Sequence, residues 1–233
     1  LGILKAIEDA DEAGITRKVL AEKTKLSEYG VGVLCEMALG MNVIKFTKDS
    51  VPGSSQSEKF IIGKIGWMLL EDDLTKANFW FTNDICYEGA WNLKESILNG
   101  KPEGLKVFGD KWTTVYEALS SLPQKAKKSW FDFDHFYSDI AFPEALPIVF
   151  AEKPKTIVDI GGNTAKWSIS CCKYNSDVKM TIVDLPGQTK VAEENAKKAG
   201  FADRISFSTG NVLDDTTVLP SSPDAVWMSQ FLD

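Results

Sequence analysis

Lys155-Thr-Ile-Val-Asp-Ile-Gly-Gly-Asn-Thr-Ala-Lys-Trp167 sets the architecture of this 233-residue chain. Thr156 to Ile160 is a short apolar, β-branched run, suited to a strand buried on both faces of a parallel sheet. It stops at Gly161-Gly162, where the backbone can turn sharply and approach a ligand without a Cβ in the way. Asn163 and Thr164 offer helix-capping side chains, and Ala165 to Tyr174 reads as the following helix. Strand, glycine turn and helix form the ligand-binding corner of a doubly wound α/β fold. The same turn also occurs in proteins with no ligand, so its neighbours carry the next step.

A dinucleotide fingerprint needs glycine at the first, third and sixth positions, and counting from Gly161 these hold Gly, Asn and Lys166. No Gly-Lys-Ser/Thr follows, so a P-loop is absent as well. An acid, Asp159, stands two residues before the first glycine. Beyond the helix, Val178-Lys-Met-Thr-Ile-Val-Asp184 reads as a second strand ending in an acid, placed to accept from both hydroxyls of a ribose. Gly187 to Gly200 reads as a helix with Val191 and Ala192 inward and Gly200 as its stop. Ile205 to Ser208 and Ala225-Val-Trp-Met228 supply a third and a fourth strand. Strands alternating with helices at this spacing argue for a parallel sheet.

Asp159-x-Gly161-Gly162 resembles motif I of the S-adenosylmethionine (SAM) dependent methyltransferases, with Asn163 and Ala165 in place of that motif's later glycines. Asn tolerates left-handed backbone and Ala is small, so the turn is expected to survive. The series Val-Asp-Ile-Gly-Gly, Val-Asp-Leu-Pro, Ala-Gly-Phe-Ala-Asp-Arg-Ile, Gly-Asn-Val-Leu and Asp-Ala-Val-Trp-Met is similar to the small-molecule O-methyltransferases typified by plant caffeate and hydroxyindole enzymes. The resemblance implies a Rossmann-like α/β SAM-binding sheet preceded by a helical winged-helix dimerisation domain. It implies seven strands, four of them readable here, so the sheet in this chain is expected to be partial. It places Gly161 and Gly162 at the methionine part of SAM and Asp184 at the ribose, with Asp159, Asn163 and Leu185 also among the cofactor-binding residues. Asn211 and Val212 fall near the adenine, Ser229 at a cofactor-contacting position, and Tyr137 and Ser138 near the methionine carboxylate. A small-molecule acceptor and a homodimer are the implied partners.

Net charge is −7, split as −5 over residues 1–150 and −2 over 151–233, without the basic excess that nucleic acid demands. No run approaches a membrane span and no signal peptide is visible, so a cytoplasmic protein is expected. Cys35, Cys86, Cys171 and Cys172 show no metal spacing and read as free thiols.

Composition suggests three parts: 1–69, 70–150 and 151–233. Leu1 to Ala13 reads as a helix, and residues 16–69 as a winged helix with a flexible wing at Ser54-Ser-Gln-Ser57. Its would-be recognition helix, 27–40, carries Glu28 and Glu36 and no Lys or Arg. Its apolar content exceeds one core-facing stripe, which favours dimerisation over DNA binding. Residues 67–150 are helical and rich in aromatics, most of them core packing and some available to wall a flat acceptor.

Methyl transfer to a hydroxyl requires a group that removes its proton. The plant relatives use a His just past the fourth strand, and the resemblance puts Asp233 there. A phenol near pKa 10 facing an Asp near 3.9 is mismatched by about 6 units, roughly 8 kcal/mol, against roughly 4.8 kcal/mol for a His. His135, the only histidine, is the rival base, or a packed core group. Three function classes follow: a SAM-dependent O-methyltransferase, a SAM-binding relative with lost or altered catalysis, and a non-enzymatic winged-helix small-molecule sensor.

Overall fold

The computed structural model of the protein describes residues 1–50, 58–109 and 111–232. They form two compact units, 1–80 and 81–233, a coarser partition than the three parts proposed from composition. The expected wing at Ser54–Ser57 and the candidate base Asp233 lie outside the described residues.

The first unit is helical around a small sheet. Strands β1 (Ile15–Thr16), β2 (Ile44–Phe46) and β3 (Lys59–Ile62) pair antiparallel in the order β1-β3-β2. The expected helix over residues 1–13 is shorter: Ile3–Glu8, then a 3₁₀ turn over Asp11–Ala13. Gly14, with φ of 66° and no room for a Cβ beside Thr47, turns the chain into β1. Helix Arg17–Thr24 is capped by the Thr16 hydroxyl and helix Glu28–Gly40 by Ser27, whose Oγ accepts from the Gly30 amide at 3.1 Å. Ile7, Leu20, Val31, Ile44 and Phe60 make the core. The other side of helix Glu28–Gly40 leaves Tyr29 83% and Met37 61% exposed, with Val33 and Leu34 beside them. Among the described residues this apolar face is exposed, as surfaces that meet a partner often are.

The second unit carries the parallel sheet. Strands β4 (Thr156–Ile160), β5 (Lys179–Asp184), β6 (Ile205–Thr209) and β7 (Ala225–Trp227) take the order β6-β5-β4-β7, all parallel. The order reverses at β4, which is the switch point where open α/β sheets bind ligands. Helices Lys166–Tyr174 and Pro186–Ala199 connect the strands, the second ending at Gly200 in the left-handed region. Ile157, Val178, Met180 and Ile182 are buried between the layers together with Trp167, which stacks on Trp227 at 4.0 Å. Ahead of the sheet, helix Gln124–Asp139 is followed by helix Phe142–Val149. Among the described residues no helix is long and apolar enough to cross a membrane.

Candidate functional site

The turn after β4 runs through left-handed backbone at three positions: Gly161 (φ 72°), Asn163 (φ 49°) and Ala165 (φ 67°). Each glycine has a separate reason. A Cβ on Gly161 would stand 2.6 Å from the Phe231 ring, and one on Gly162 would stand 2.8 Å from Ile182 Cγ2 and 2.9 Å from Asp159 Oδ2. Ala165 holds a conformation that costs an L-residue roughly 1–2 kcal/mol. Against that, its methyl is fully buried, worth about 0.8 kcal/mol, and glycine would loosen the unfolded chain by about 0.5–1 kcal/mol. These effects nearly cancel. Ala165→Gly is therefore expected to change stability by less than about 1 kcal/mol, a Tm shift below about 4 °C. Thermal unfolding checks it, and a loss of several kcal/mol would refute the strain at Ala165.

The capping expected of Asn163 and Thr164 is not observed: Ala165 occupies the cap position without a side-chain bond. Both side chains are drawn instead to helix Gln124–Asp139. Asn163 Nδ2 donates to Asp134 Oδ2 at 2.6 Å, and Thr164 Oγ1 lies 3.1 Å from His135 Nε2. One turn further along that helix Asp139 pairs with Lys166. Tyr137 and Ser138 lie on the same helix, Tyr137 with its ring against Phe133 and Phe136 and Ser138 donating to Asp139. Burial raises the pKa of Asp134, with His135 and Asn163 opposing. Burial, then the Lys166 charge, lowers that of His135. The imidazole stacks on Phe131 and has Asp139 3.8 Å from Nδ1, the setting of a packed core group. Sequence reading passed over Asp134; the signal available was an Asn where the motif has glycine, which raises the question of what holds it.

Asp159 and Asp184 separate into different roles. Asp159 is 2% exposed, accepts from Ser168 Oγ at 2.7 Å, and lies beneath Gly162 rather than on an open surface. In that position it supports the turn from inside. Burial raises its pKa to about 7, with Ser168 opposing and the Asp184 charge adding. Asp184, at the carboxyl end of β5, accepts from the Asn163 amide at 2.8 Å with one oxygen and from the Leu185 amide at 2.7 Å with the other. Burial raises its pKa too, against those two amides. Each oxygen keeps lone-pair capacity for a further donor, so this carboxylate suits a ligand with neighbouring hydroxyls. Leu185 lines a cavity of about 240 Å³ with Tyr116, Glu117, Pro186, Gly187 and Gln188. In it Gln188, 5% exposed, keeps an unpartnered Nε2.

Asn211 is committed locally, its Oδ1 accepting from the Leu213 amide at 3.0 Å and its backbone oxygen from Thr217 Oγ1 at 2.5 Å. Its side-chain oxygen thus already holds the turn with one bond. Val212 and Ser229 are half-buried, Ser229 just past β7. A larger concavity, about 530 Å³, lies at the opposite, amino-terminal end of β4 and β7 around Lys155, Asp224 and Trp227. Size does not identify the site here, because ligands of open α/β sheets bind at the carboxyl ends of the strands.

Residues 1–50 match the family model described as a Dimerisation2-like domain. The L-tyrosine C(3)-methyltransferase of Streptomyces lavendulae is 24% identical over 152 residues, 65% of this chain and 41% of that protein. The 3-hydroxy-5-methyl-1-naphthoate 3-O-methyltransferase of Streptomyces sahachiroi is 33% identical over 78 residues, 34% of this chain and 22% of that one. The structure of the mitomycin 7-O-methyltransferase MmcR superposes with a TM-score of 0.65 at 19% identity, over 97% of this chain and 62% of that one. The chain thus spans less than half the length of these two curated relatives. Residues 1–50 thus match a Dimerisation2-like domain, and the chain is similar in sequence to methyltransferases that act on small molecules and shares the fold of one of them.

Proposed function

We propose that the protein binds SAM and transfers its methyl group to a hydroxyl of a small aromatic or polyketide-like molecule, working as a homodimer. The observation that carries this reading is the Asp184 carboxylate, half-buried at the end of β5 and bonded to the turn that follows β4. The residues fit the cofactor. Gly161, Gly162 and Asn163 offer backbone to its amino-acid end, with Tyr137 and Ser138 on the neighbouring helix. Asp184 receives the ribose hydroxyls, and Leu185, Asn211 and Val212 flank the base. When bound, SAM supplies an electrophilic methyl group on a sulfonium centre. The chain's own work is alignment, exclusion of water and removal of the acceptor's proton. His135 is occupied by Thr164, so Asp233 remains the proposed base.

Two relatives support an aromatic hydroxyl acceptor, since the named substrates of both, tyrosine and a hydroxynaphthoate, are rings bearing a hydroxyl. One of those enzymes methylates carbon, so the acceptor atom must be read from the product. The exposed apolar face of helix Glu28–Gly40, within the Dimerisation2-like match, supports the homodimer. Cofactor binding without turnover is the second reading, favoured by Asp233 standing where the plant relatives use a His, a weaker base for a phenol.

Calorimetry with SAM and its demethylated product tests the cofactor directly. Asp184→Ala is expected to weaken binding by one charge-assisted hydrogen bond, roughly 1.5–3 kcal/mol. Folded protein that ignores SAM and binds NAD instead would sink the proposal. Incubation with a panel of phenols, with the methylated position read by mass spectrometry, separates the two readings.

A further inference from the structure

The turn that follows β4 is left-handed at Asn163 and Ala165 without glycine at either position. Such a conformation costs a non-glycine residue more than glycine, Asn less than most, and contacts from the surroundings offset that cost. At Asn163 such a contact is visible. Asp134 Oδ2 receives the side-chain Nδ2 at 2.6 Å, from a helix 29 residues away in sequence. An ionised carboxylate only accepts, so the amide nitrogen must face it and the orientation of the amide follows. The bond is partly buried, and Asn163 Oδ1 is buried with no partner of its own. The backbone amide of the same residue donates to Asp184 at 2.8 Å. Asn163 is thus held at two points: by Asp134 through its side chain and by Asp184 through its backbone. His135 with Thr164 and Asp139 with Lys166 fasten the next residues of the turn to the same helix.

We propose that Asp134 is a positioning residue for the cofactor site. By holding the Asn163 side chain it fixes the left-handed turn that a glycine would adopt unaided, and through the Asn163 amide it orients Asp184 toward the ligand. This inference rests on the SAM-binding reading above.

The test is a double-mutant cycle on the full-length protein, with SAM and its demethylated product as probes in calorimetry. Asp134→Ala is expected to weaken binding about tenfold, the scale of one hydrogen bond to a charged group. Combined with Asn163→Gly, the same change should have less than about a threefold effect, because the bond it removes is already gone and glycine needs no external hold. Asp134→Asn, which keeps an acceptor for Asn163 Nδ2, should restore most of the affinity lost in Asp134→Ala. A merely structural role would lower thermal stability in both backgrounds without this coupling. If Asp134→Ala does not fold, Asp134→Ser takes its place in the cycle. Additive losses, or an Asp134→Asn variant as weak as Asp134→Ala, overturn the inference while leaving SAM binding intact. A folded parent that binds neither probe overturns the functional reading and this inference together.

Discussion

Asp159→Asn is expected to flatten the pH dependence of stability and to leave the protein relatively more stable at pH 8 than at pH 5. The parent carboxyl titrates near pH 7 in the folded protein because burial disfavours its charge, against the Ser168 hydrogen bond and with the Asp184 charge adding. In the unfolded chain it titrates near 3.9. A folded value above the unfolded one means that the contribution is complete below about pH 4 and is lost as pH rises to and through 7. A gap of about 3 units corresponds to something on the order of 4 kcal/mol by pH 8. The Asn variant carries its own penalty, since its amide group adds a buried donor without a partner, about 1–3 kcal/mol at every pH. It should therefore be the weaker protein at pH 5 and gain on the parent as pH rises. Asp134 and Asp184, also raised by burial, act with the same sign, and His135, lowered by burial, acts with the opposite one. The decisive quantity is accordingly the difference between variant and parent. Urea unfolding at both pH values measures it, and an identical slope in the two proteins would show that Asp159 is charged in the fold.

The second large effect concerns Asp233. As the proposed base it should make Asp233→Asn slower in methyl transfer by about 10²–10⁴, with SAM affinity nearly unchanged. Asn keeps the shape and one acceptor but removes the basicity. An ordinary Asp is a poor base for an unactivated phenol, by roughly 8 kcal/mol. The preferred acceptor should then carry an acidified hydroxyl, and activity across a phenol panel should rise as acceptor pKa falls. Equal activity of parent and variant on the true acceptor would leave Asp233 a turn residue and send the search for the base elsewhere.

Much of the second unit was legible from local pattern. β4, β5 and β6 fall within a residue of where apolar, β-branched runs placed them, and the helix between β5 and β6 ends at Gly200 as its spacing required. Such signals are short-range: strand period, glycine at a left-handed stop and Ser27 at a cap act within a few residues of themselves. The first helix was harder to delimit: it ends at Glu8, and Asp11 takes a φ of 50° where a 3₁₀ turn begins.

The candidate site divides along the same line. That a glycine turn follows β4, and that an acid closes β5, could be read from residues 155–184 alone. What the sequence did not reveal is which partner each polar side chain chooses, since those partners come from other elements. Asp159 looked like a ligand contact, yet the parallel pairing of β4 and the helix packed over it put its carboxyl on Ser168, nine residues on. Asn163 and Thr164 looked like caps because capping is the nearest local use for such side chains. Helix Gln124–Asp139, packed across the turn, offered them Asp134 and His135 instead. Local order in this chain follows from hydrophobic period and backbone sterics and is written residue by residue. The wiring of the site depends on which buried polar groups meet across elements far apart in sequence, where an unmet hydrogen bond costs about 1–3 kcal/mol, and only the packed tertiary structure decides those meetings.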